Sequence, residues 1–248
     1  MASFLTREQL HGHLRDQGHG FWSDNPEVAP IRVSPPPEEY VTVALEPDAT
    51  LKPKHRQCYF VCVRNDDGEP VIYDDAEFAL REPFATVAER HPTNNYFMMG
   101  PIRWLLRRIE RFERILLWPP DGFCGAYGLD FTFTISGVRL QDLPRLANHL
   151  NGLHVDPSEV TAIVLSLNEL PDCEVFWEIA NLVGIDTYDL FVSDLFGREV
   201  YFLHHHEKIA VSIPEKRTRQ ELLDELETLD DVFEDWSGYE HKADEEFR

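Results

Sequence analysis

Apolar positions recur along this chain in two rhythms, every second residue or every third to fourth, and the changes between them mark out its elements. Leu129, Phe131, Phe133 and Ile135 alternate with Asp130, Thr132 and Thr134, which predicts a strand over 129–135. Residues 58–64 are rich in β-branched and aromatic side chains. The strong turn Asn65-Asp66-Asp67-Gly68 then leads into Val71-Ile72-Tyr73, so 58–74 reads as a hairpin. Another short strand is predicted at 40–45, and 188–193, 198–205 and 208–213 read as a three-stranded meander with Phe196-Gly197 in its first turn.

The helical rhythm begins after Thr6, where Thr6 and Gln9 can form a capping box and Leu5 and Leu10 a staple. That helix is expected to end by Gly18. Residues 84–90 suggest a short helix. From 101 to 117, Ile102, Leu105, Ile109, Phe112 and Leu116 fall in one stripe at 100° per residue, which predicts a longer one. Further helices are expected at about 142–152, at 157–169 behind the Asp156-Pro157 start, and at 173–183 before Gly184. A terminal helix is expected at 219–235, where Thr218 and Glu221 suggest a cap and Leu222, Leu226, Leu229, Phe233 and Trp236 recur at helical spacing. These elements predict an α+β fold of antiparallel hairpin and meander sheets with packed helices, as one compact unit or two subdomains.

Proline and glycine punctuate the order. Seven of the 17 prolines lie in 24–56, which reads as an extended connection, and Pro119-Pro120-Asp121-Gly122 is the natural place for a boundary. The expected regions are therefore 1–118, 119–236 and an acidic tail, 237–248, expected to stay mobile without a partner because it offers little to bury. No apolar run approaches the roughly 18–20 residues a membrane crossing needs, and the first eight residues lack the apolar stretch of a secretion signal, so a cytoplasmic location is expected.

Charge narrows the partners. The 248 residues hold 23 Lys+Arg and 45 Asp+Glu, a formal net charge of −22. Residues 221–248 alone carry twelve acids against Lys242 and Arg248, a balance of −10. Nucleic-acid affinity rests on Lys and Arg displacing counterions from phosphate, so a nucleic acid is a poor match and a basic protein partner a good one. Acidic excess is also an ordinary solubility device. Association of the chain with itself stays open.

Against this charge, Arg103, Arg107, Arg108, Arg111 and Arg114 form a concentrated basic stretch. On the predicted helix 101–117, four of them lie opposite the apolar stripe. This suggests a site for phosphate, RNA or an acidic partner, docking of the chain's own acidic C-terminal helix and tail, or a solvated face with local ion pairs. The other side of such docking would come from the acids Glu225, Asp231, Glu234 and Asp235 together with the aromatic Trp236.

Candidate chemistry is incomplete everywhere. His204 and His206 share one face of a strand and could hold zinc, iron or nickel, as in cupin-type sites, but Glu207 is adjacent rather than several residues on, and no third ligand is marked. His11, His13 and His19 cannot chelate one ion from a regular helix. Cys124 lies among Gly122, Gly125 and Gly128, where a thiol nucleophile could be exposed, with His149 or His154 as the base it would need. Cys58, Cys62, Cys124 and Cys173 form no close pair and read as reduced thiols. Glu178 to Leu190 is similar in spacing to a helix-turn-helix, but its second helix would present Asp189 and Asp194 to DNA. No cofactor motif is present.

These readings favour a non-enzymatic acidic interaction protein, of the bacterial accessory, inhibitor or immunity type. A metal-dependent hydrolase using His204 and His206, or a degenerate helix-turn-helix regulator, is the alternative.

Overall fold

The computed structural model describes residues 3–19, 41–44, 60–62, 80–91, 101–120, 122–123, 142–183, 189–204 and 208–227. Its elements in chain order are β1 (Phe4–Leu5), α1 (Arg7–Asp16), β2 (Val41–Ala44), β3 (Phe60–Cys62), α2 (Phe84–Arg90), α3 (Pro101–Ile109), β4 (Arg114–Trp118), α4 (Pro144–Gly152), β5 (Ala162–Ser166), α5 (Leu170–Val183), β6 (Leu190–Asp194), β7 (Val200–His204), β8 (Lys208–Ser212) and α6 (Lys216–Glu227). The fold is α+β. Among the described residues, eight strands form one sheet in the order β1-β5-β4-β6-β7-β8-β2-β3, antiparallel except for the parallel pair β2 and β3. Among the described residues no helix is long and apolar enough to cross a membrane.

The pleat sends alternate side chains into two cores. Ile115 and Leu117 of β4, Ile163 and Leu165 of β5, Val192 of β6, and Tyr201 and Leu203 of β7 face a core built with α2 to α6. There Phe84, Leu105, Ile109, Leu146, Phe176 and Leu222 are buried. The intervening residues Leu116, Trp118, Val164, Phe191, Val200 and Phe202 face a smaller core closed by Leu10 and Leu14 of α1.

Local signals set several of these elements. The Thr6 side chain accepts from the Gln9 backbone and Gln9 returns the bond, so the capping box forms, and α1 ends before Gly18 at φ +91°. The meander forms as three adjacent antiparallel strands. Gly197 in its first turn takes φ +69°, in the left-handed region where glycine is favoured.

Three expected helices are corrected. The span 101–117 divides into helix α3 and strand β4. The run Ile115-Leu116-Leu117-Trp118 lies between β5 and β6 with both faces buried, and a strand buried on both faces is as continuously apolar as a buried helix. Residues 157–169 divide likewise. Asp156 does cap, its side chain accepting from the Ser158 backbone, but only a 3-10 turn at Pro157–Glu159 follows, and then the buried strand β5. The last helix starts at Lys216 rather than 219, because Glu215 accepts from the backbone of Arg217 and Thr218. The Thr218 hydroxyl, which also donates to Glu215, together with those backbone bonds holds the Glu215 carboxyl down at about 2.

Pro119 to Gly122 does not divide the sheet, since β1 and β2 on one side and β5 and β8 on the other pair directly. The segment a helix-turn-helix would need for recognition is β6, a buried strand. The expected strand 129–135, the hairpin's second strand at 71–73 and the tail 237–248 lie outside the described residues.

Candidate functional site

The arginine stretch yields the main charged site. On α3, Trp104, Leu105 and Ile109 are buried against the sheet, and Arg108 sits among them with 2% of its side chain exposed. A guanidinium placed there needs acceptors on all sides, because desolvating an unpaired charge is costly. Its Nε donates to the Tyr201 hydroxyl at 2.9 Å, Nη2 lies 3.5 Å from Glu199, and Nη1 donates to Glu225 of α6. Arg111, in the turn after α3, donates to both oxygens of Glu199, and the Tyr201 hydroxyl donates to Glu199 as well. Two guanidiniums therefore meet two carboxylates around one buried phenol.

Burial works against the Arg108 charge, but Tyr201, Glu225 and Glu199 outweigh it and its pKa is raised. Burial above all, with Glu199 beside it, holds the Tyr201 phenol well above its usual range, so it stays a neutral donor. Chemically the cluster is a socket for carboxylates. It positions charge, with Glu199 and Glu225 as the acceptors for the two guanidiniums.

The other predicted arginines go separate ways. Arg107 faces outward, half-buried, 4.0 Å from Glu110. Arg114 opens β4 instead of sharing a helical face. Arg103 belongs to α3, and nothing further is described of its side chain. On the acidic side, Glu225 reaches the cluster, while Asp231, Glu234, Asp235 and Trp236 lie outside the described residues. So do Cys124 and His206; His204 ends β7 in register with Lys208. No group of three metal-ligating side chains occurs among the described residues.

Glu199 and Tyr201 escaped the sequence reading. The available signal was their period-two spacing, with Glu199 immediately before β7 and Tyr201 within it, which puts both on one side of the extended chain.

A second polar cluster joins α2, α4 and α5. Glu178 of α5 accepts from the backbone of Arg145 at 3.1 Å and Leu146 at 2.9 Å, capping α4 from outside, and from Arg145 Nη1 at 3.1 Å. The same arginine reaches His91, whose ring lies 3.4 Å from Glu174. Cys173 is buried beside it and donates to the Leu167 carbonyl at 3.1 Å, a reduced thiol as expected.

The class defined so far is an α+β protein with a buried ionic cluster joining a central helix, the sheet and the C-terminal helix. Compared with models of protein families, with curated proteins and with solved structures, the chain matches none.

Proposed function

We propose that this chain is a non-enzymatic acidic interaction module, of accessory, inhibitor or immunity type, that binds a basic protein partner in the cytoplasm. The observation that carries this reading is how the arginine stretch is used. Arg108 is enclosed and Arg111 is tied to Glu199, so these two cations are neutralised internally by Glu199 and Glu225. The excess that sets the chain's character is its −22, of which −10 falls in residues 221–248. Complementary charge would speed encounter and select the partner. Contact energy would come from aromatics. Phe196, 56% exposed at the β6–β7 turn with the Arg198 guanidinium 5.1 Å from its ring centre, is one such anchor.

Co-purification from the native host at low and high salt tests this. A basic protein retained at low salt and lost at high salt, and lost also with Glu234→Lys and Asp235→Lys, is expected. A partner that is acidic, or is held equally at both salt concentrations, would overturn the reading.

A further inference from the structure

We draw no further inference here: the strongest candidate, the exposed Phe196 ring at the tip of the β6–β7 turn with the Arg198 guanidinium beside it, belongs to the surface already proposed for the basic partner, and nothing in the structure shows what covers it.

Discussion

Arg108 and Glu225 form an ion pair across 117 positions of chain, joining the helix before the central strand to the C-terminal helix. The two ends are unequal, since the arginine side chain is 2% exposed and the glutamate 41%. Removing each should therefore cost differently. Arg108→Ala leaves Glu199 buried beside Tyr201 and should destabilise by about 3–5 kcal/mol, whereas Glu225→Gln, on the solvent side, should cost about 1 kcal/mol or less. Urea unfolding of the two variants measures the contrast.

The phenol between the charges has its own test. Tyr201→Phe keeps the ring against Trp104 but removes both the acceptor for Arg108 Nε and a donor to Glu199. A loss of about 1–3 kcal/mol is expected by the same unfolding measurement.

Two glycines should respond in opposite directions. Gly197→Ala forces a side chain into φ +69° and against Leu14 and His13, and should lower stability by about 1–3 kcal/mol. Gly12→Ala, inside α1 with nothing within 4 Å of the new Cβ, should raise it by about 0.5–1 kcal/mol. Thermal melts of the two variants should shift to either side of the parent.

The Cys173 thiol is pushed up to about 12 by burial and by Asp172 and Glu174. Alkylation of the native protein near neutral pH should leave the Cys173 peptide unmodified, since the thiolate is the nucleophile, and modify it readily in concentrated guanidinium. Peptide mass spectrometry reads this site by site.

Glu178 replaces the cap that α4 lacks at Leu143. Glu178→Ala should cost about 1–2 kcal/mol, and Glu178→Gln, which keeps one acceptor oxygen, clearly less. Denaturant midpoints of both variants check the order.

Burial also lowers the pKa of His149, opposed by Asp172. The unfolded chain then binds more protons than the folded one below the ordinary value of 6.5, so this contribution is fully present above that pH and is lost as pH falls towards the folded value. The urea midpoint should rise with pH across this window, and less steeply in His149→Gln.

The elements readable from the chain were those whose determinants lie a few residues apart. Thr6 and Gln9 cap each other across three positions, Asp156 reaches Ser158, and the β6–β8 meander follows from short β-branched and aromatic runs joined by short turns. The same short reach misled at β4 and β5. Ile115 to Trp118 and Ala162 to Leu165 are apolar at every position, and such a run has no period that separates a strand from a helix.

By itself, then, the sequence determined the fold class, the acidic character and the places where arginine and acid concentrate. Only the tertiary structure decided that the arginine stretch bends from helix into strand, and that Arg108 points into the protein rather than out. Its partners Glu199 and Glu225 stand 91 and 117 positions away. Which of many carboxylates meets a given guanidinium depends on sheet order and on helix docking driven by apolar burial. Neither leaves a local mark in the chain.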